Sequence, residues 1–223
     1  LELFNGKAHC SSCHTSDGTA AEPPAFSNFG YDNIGVPKNP DNPFYAMDQV
    51  TVDGAAINPA GVDWVDSGLG GFLRTLVSSD DWRTAPYVPA SMSSLSAAEL
   101  SQLAEENMGK HRVPTLRNVG RRPTPEFVKA YTHNGYFKSL ETLVHFYNTR
   151  DVLPRCTSDF SEQQAVAAGC WPAPEVAEGI DAARSGNLGL IVAEEDALVA
   201  FMVTLSDRGG AMMHGGAMHG PNR

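Results

Sequence analysis

The 223-residue sequence lacks several features that would place it in common protein classes. No apolar run approaches the roughly 18 residues that a membrane-spanning helix needs. Positive charge is scarce, with 16 Lys and Arg against 26 Asp and Glu, and the net charge is -10. This balance argues against nucleic acid and against an anionic membrane surface as partners. A protein that is basic or neutral is the more natural partner.

Strand-like alternation of polar and apolar residues is also missing, whereas Pro and Gly are abundant at 15 and 21 residues. Residues 15–93 are therefore predicted to form long ordered loops with short helical pieces and no strands. Three helical patterns follow, after Ser96, over residues 139–148 and over residues 193–206. The predicted fold class is all-α with long ordered loops, in one domain over residues 1–206 that is followed by a Gly/Met/His-rich tail over residues 207–223.

The motif Cys10-Ser11-Ser12-Cys13-His14 carries the chemistry. Cys-x-x-Cys-His attaches haem c, because its two thiols match the spacing of the haem vinyl groups and place His14 beneath the iron. Two alternatives are a zinc site, which needs further Cys or His at regular spacing, and a redox dithiol, which needs a βαβ setting. Neither pattern occurs in the sequence. The sequence thus predicts one covalent haem c held by Cys10, Cys13 and the axial ligand His14, in a cytochrome c-like domain.

The sixth iron ligand is left open by composition, since Met, His and Tyr all serve in this role. The candidates are Met47, Met92, Met108, Met202, Met212, Met213, Met218, His111, His133 and His145.

Haem c attachment requires export, so we expect a periplasmic or otherwise exported bacterial protein whose signal peptide has been removed or lies outside the numbering. The two remaining cysteines, Cys156 and Cys170, are then predicted to form a disulfide. Two free thiols are the alternative. At most two helical turns precede the haem motif, so the start of the domain is expected to be cut.

Three further stretches resemble one family: residues 29–37 (FGYDNIGVP), 113–119 (VPTLRNV) and 133–148 (HNGYFKSLETLVHFYN). With the haem motif they resemble, in order, the C-terminal haem domain of bacterial di-haem cytochrome c peroxidases and MauG. The resemblance implies a Met or Tyr ligand at a fixed distance after the His-x-Gly loop, a position that Tyr147 occupies here. Met108 is the second choice.

The same resemblance implies that Arg117, with Arg112 beside it, neutralises haem propionates, and that His133 lies on the path between haems or fixes its loop by a hydrogen bond. The chain departs from the family at residues 121–130, where the Thr-Ala-Pro pattern that helps to hold calcium is replaced, which argues against calcium. It also has one haem motif, whereas the family's peroxide-reacting haem belongs to an N-terminal domain.

Three functions compete at this point. In the first hypothesis, the chain is half of a di-haem peroxidase or MauG-like oxidoreductase, partnered by a second haem-bearing domain or chain. Alternatively, it is a stand-alone mono-haem electron carrier or a cytochrome subunit of a larger complex. A metal-handling role is suggested by the Met/His tail, although docking is favoured over copper binding for that segment.

Overall fold

The computed structural model describes residues 1–19, 21–79, 82–124 and 126–206. The predicted docking and copper roles of the tail therefore lie outside the described residues. The α-helices of the described part are α1 (Glu2–Asn5), α2 (Gly68–Val77), α3 (Ala90–Ser93), α4 (Ala97–Glu106), α5 (Leu140–Thr149), α6 (Glu162–Ala168) and α7 (Val192–Thr204). Short 3-10 turns lie at Cys10–Ser12, Pro43–Ala46, Gly61–Asp63 and Trp82–Thr84. Within this part, no helix is both long and apolar enough to cross a membrane.

Two small antiparallel sheets show that the all-α prediction is wrong. Strand β1 (Tyr31–Asp32) pairs with β4 (His111–Arg112), and β2 (Thr51–Val52) pairs with β3 (Ala55–Ala56). Two-residue strands are too short to show alternation, so periodicity could not reveal them. The β2–β3 turn did carry a signal that we overlooked, because Asp53-Gly54 is a favoured hairpin pair and both residues have positive φ, 51° and 83°.

The main core packs α1, α5 and α7 around a cluster of aromatic rings. Phe4 of α1, Phe26 of the following loop and Phe201 of α7 form a triangle with ring centroids 5.2–6.1 Å apart. Edge-on aromatic contacts of this kind add to the stabilisation from burial. The triangle fixes the loop at Phe26 relative to the haem-motif turn.

A second, smaller core joins α2 and α4 through Leu73, Leu76, Trp82, Leu100 and Ala104. Helix α2 was not predicted, because its first turn carries Gly68, Gly70 and Gly71, which disfavour helix on propensity alone. Packing explains Gly70, since a Cβ there would lie 2.6 Å from the Ala104 carbonyl oxygen. The close approach of the two helices therefore requires glycine at this position.

The three predicted helices are confirmed as α4, α5 and α7. Ser96 and Glu99 form the expected capping box at the start of α4. Ser139 caps α5 by accepting a hydrogen bond from the Thr142 N–H at 3.1 Å. Leu198 and Met202 bury the predicted face of α7.

The predicted disulfide is confirmed: Cys156 and Cys170 are bonded, with Cα atoms 5.1 Å apart. It closes a loop of 14 residues that contains α6. Replacing both cysteines with Ala is expected to lower the free energy of unfolding by about 3 kcal/mol, because the unfolded chain regains the freedom of that loop. Urea unfolding of the variant and of the reduced wild type should give matching midpoints. A variant as stable as the oxidised wild type would contradict this expectation.

Candidate haem site

The haem-motif turn places three reactive side chains on one side of the chain. The 3-10 turn Cys10–Ser12 is closed by hydrogen bonds from Cys13 N and His14 N to the Cys10 carbonyl oxygen, at 3.3 and 2.9 Å. Residues three and four apart in such a turn share a face. The turn therefore groups Cys10, Cys13 and His14, as a haem attachment site requires.

His14 is held in the orientation of an iron ligand. Its Nδ1 lies 2.9 Å from the carbonyl oxygen of Phe26, the residue fixed by the aromatic triangle. A ligating His normally donates one ring N–H to such an acceptor, which leaves Nε2 for the metal. Burial lowers the pKa of His14, which favours the neutral imidazole that metal binding needs.

The two thiols are unpaired, and burial raises the pKa of each to about 12. For Cys13 a hydrogen bond to Asp32, with Sγ and Oδ2 3.1 Å apart, adds to the increase. Redox dithiols and zinc-binding cysteines instead have lowered pKa values, because their thiolates react. The raised values thus argue against a redox dithiol.

Tyr147 lies in α5 and its side chain faces the same space. Burial raises the pKa of its hydroxyl above the ordinary value, and the nearby Cys10 and Cys13 raise it further. Among the described residues no side chain or carbonyl forms a hydrogen bond with this hydroxyl. Tyr147 is half-buried, and its hydroxyl lies beside the attachment thiols.

The remaining predicted residues are Met108, Arg112 and Arg117. Met108 follows α4 and its backbone packs against Gly70 of α2. Arg112 is exposed, and its guanidinium lies over the Phe29 ring at 5.1 Å from the centroid. Arg117 is also exposed. The propionate roles of both arginines stay predictions.

Asp32 and Arg184 belong to the site and were missed. Arg184 Nη2 lies 2.9 Å from Asp32 Oδ1, and its Nη1 lies 3.3 Å from Cys13 Sγ. Asp181 also pairs with Arg184. No sequence signal links these residues, because 152 positions separate Asp32 from Arg184. The resulting ion pair places opposite charges beside one attachment thiol.

A haem c group fits this set of residues. Two unpaired thiols at the required spacing, an imidazole with one nitrogen anchored to a carbonyl, and a half-buried phenol beside the thiols are groups of the kind that attach and ligate a haem c. The fit rests on the donor chemistry of the residues themselves.

Comparison with known proteins finds two curated proteins that are similar to most of the chain. It is 29% identical over 204 residues to the methylamine utilization protein MauG of Paracoccus denitrificans (strain Pd 1222), covering 90% of the chain and 40% of MauG. It is 28% identical over 206 residues to the cytochrome-c peroxidase IdrP2 of Pseudomonas sp. (strain SCT), covering 92% and 38%. The chain thus spans about two fifths of the length of these curated relatives.

A solved structure gives the same result at the level of the fold. The Y463M variant of the diheme peroxidase BthA from Burkholderia thailandensis E264 matches with a TM-score of 0.52 and 25% identity, over 93% of this chain and 41% of that one. No protein-family model matches the sequence. Similarity to all three proteins over some nine tenths of the chain confirms the predicted resemblance to di-haem cytochrome c peroxidases and MauG.

Proposed function

We propose that the chain is the electron-transfer half of a di-haem peroxidase or MauG-like oxidoreductase, carrying one covalent haem c. The observation that supports the proposal most directly is the convergence of two unpaired thiols, an anchored imidazole and a half-buried phenol on one space. Simple electron carriers use Met as a ligand, which raises the potential. A Tyr in that place suits oxidative chemistry instead.

Each residue has a defined task in this proposal. Cys10 and Cys13 would hold the haem through thioether bonds, and His14 would offer Nε2 to the iron while its Nδ1–H donates a hydrogen bond to the Phe26 carbonyl oxygen. The Tyr147 hydroxyl would be the second protein ligand of the iron and would lose its proton on binding. Arg117 and Arg112 would neutralise the propionates. The bound group supplies one-electron chemistry at its iron, and the buried residues around it exclude water.

The relatives suggest the rest of the assembly. BthA is described as a diheme peroxidase and IdrP2 as a cytochrome-c peroxidase. We infer a haem domain over residues 1–206 that works with a second haem-bearing domain or chain, or with a redox protein partner. The Cys156–Cys170 disulfide supports an oxidising, exported location, since such bonds persist outside the cytosol.

Haem attachment is the first test of this proposal. Acid-acetone extraction of the native protein should leave haem on the polypeptide, and its mass should exceed that of the bare chain by one haem. In a Cys10→Ala/Cys13→Ala variant the same treatment should move the haem into the solvent, because His14 alone cannot retain it in acid. Haem recovered in the solvent from the native protein would rule out thioether attachment.

Haem count and oxidation chemistry then separate the two leading functions. Two haems per assembly, together with turnover of peroxide that consumes electrons from a reduced donor, are expected for the oxidoreductase. A single haem that exchanges electrons but does not consume peroxide would instead identify a stand-alone carrier. The assay must use the native assembly as isolated from cells.

A further inference from the structure

A second cluster of metal-binding side chains lies outside the haem site. The imidazole rings of His111 on β4 and His133 before α5 stack with centroids 3.5 Å apart and planes 3° apart. Asp66, before α2, joins them, and the potential ligand atoms of the three residues all lie within 4.8 Å of one another. Three segments that are distant in sequence therefore bring two nitrogen donors and one carboxylate together.

The carboxylate of Glu175 lies beside this cluster and adds negative charge to it. Its side chain is only 2% exposed, and its Oε2 lies 3.6 Å from His133 Nε2. The carboxylate accepts hydrogen bonds from the Tyr45 hydroxyl at 2.8 Å and from the Asp66 N–H at 3.1 Å. Asn134 Nδ2 lies 3.4 Å from Glu175 Oε2, the oxygen that faces His133. A buried carboxylate held by several donors stays ionised and orients its neighbours.

The charges of the cluster favour a cation. Two stacked imidazoles cannot both be protonated without strong repulsion. With neutral rings, Asp66 and Glu175 leave two negative charges in a half-buried location, and with one protonated ring a negative charge still remains. One divalent ion would neutralise the cluster, and it would also join the segments that carry Asp66, His111 and His133.

We propose that Asp66, His111 and His133 bind one divalent transition-metal ion of the zinc class, and that Glu175 positions His133. Two imidazoles and a carboxylate form a common zinc ligand set that leaves a fourth position open. Calcium prefers oxygen ligands and does not fit a site with two nitrogens.

Binding needs a small local rearrangement. Zinc bonds of about 2.0–2.2 Å place tetrahedral ligand atoms roughly 3.4 Å apart, so separations of up to 4.8 Å must close by up to about 1.4 Å. The two rings must also tilt out of their parallel stack so that their lone pairs converge. His133 and Asp66 lie in loops, where side-chain rotation can provide both movements.

The site is tested by calorimetric titration of the full-length holoprotein with Zn²⁺ alone, after treatment with a chelator that is then removed. One Zn²⁺ per chain is expected, with a higher melting temperature in its presence because the ion joins three segments. His111→Gln/His133→Gln should weaken binding at least 100-fold. Asp66→Asn, which is nearly isosteric and should leave the fold intact, should weaken it about tenfold.

Two controls make the assignment specific. His145→Gln alters another His that faces a carboxylate, since His145 Nδ1 lies 3.1 Å from Glu195 Oε1, and it should leave binding unchanged. His214→Gln/His219→Gln removes the tail histidines and should also retain the site. The proposal is overturned if the tail variant alone abolishes binding, if Ca²⁺ binds more tightly than Zn²⁺, or if the wild type binds no Zn²⁺. None of these outcomes depends on whether the haem has a Tyr ligand.

Discussion

Replacing Tyr147 with Phe is expected to raise the haem reduction potential by on the order of 0.1 V, within the ~0.8 V range that axial ligands span. A phenolate oxygen is a harder donor than sulfur and stabilises the ferric state, so its loss favours reduction. The replacement keeps the ring volume, and the packing of α5 is therefore retained. Redox titration and the ferric absorption and EPR spectra of the two proteins measure the change.

The acidity of Tyr147 gives this experiment a second readout. Burial and the nearby Cys10 and Cys13 oppose ionisation of the phenol in the absence of iron. Only the charge of the metal can then offset that cost, and ligation must release a proton. Lowering the pH should therefore displace the ligand in the wild type and change its ferric spectrum. The Phe variant should show no such transition.

Met108→Leu is the matched control for Tyr147→Phe. Met108 lies at the end of α4 beside Gly70, so its replacement should change neither the potential nor the ferric spectrum. If instead the Met108 variant loses an axial ligand while the Tyr147 variant keeps its spectrum, the Tyr assignment is wrong. A Met-ligated haem would then favour the stand-alone electron carrier.

The sequence predicted the parts of the site that depend on local spacing. Cys10, Cys13 and His14 lie within one turn, so their grouping needs no knowledge of the tertiary fold. Helix α5 was also predictable, because Leu140 and Val144 share its buried face and Ser139 caps it. Both features are encoded within about ten residues, which is the range over which helical periodicity and capping act.

The parts that the sequence did not predict depend on distant contacts. Asp32 pairs with His111 between β1 and β4, and the ion pair to Arg184 crosses an even longer separation. Each of these residues is polar and unremarkable in its own segment. Helix α2 was missed for a related reason, since its Gly-rich start is explained only by the carbonyl of Ala104 on α4. Tertiary packing overrides local propensity in such cases.

Replacing Arg150 with Met is expected to lower the free energy of unfolding by about 3–5 kcal/mol, as for the loss of one partner from a buried ion pair. Arg150 ends α5 and is 1% exposed. Its guanidinium donates to the Ile34 carbonyl at 2.7 Å and to the Ser185 hydroxyl and carbonyl at 3.0 Å each. It also forms a bidentate pair with Asp151, at 3.0 and 2.6 Å.

Met fills a similar volume but donates no hydrogen bond, so these buried acceptors lose their partner. The guanidinium packs closely against the loop at Gly186, where a Cβ would lie 2.5 Å from Arg150 Nη2. The variant should also release the loop that carries Ser185. Urea unfolding at neutral pH measures the loss of stability.

The pH dependence of the same variant separates the ion pair from the packing. The hydrogen bonds and charge of Arg150 hold the pKa of Asp151 below its ordinary value. A carboxyl with a depressed pKa in the folded state stabilises the fold above its unfolded pKa of about 3.9. That contribution disappears as the pH falls through the folded-state pKa of Asp151. The difference in the free energy of unfolding between wild type and variant should therefore narrow in acid.

Arg155→Met is the control, since Arg155 is 46% exposed and 3.9 Å from Asp151. It should lower the free energy of unfolding by less than about 1 kcal/mol. Equal losses for the two variants would show that the buried contacts of Arg150 do not hold α5 to the loops at Ile34 and Ser185.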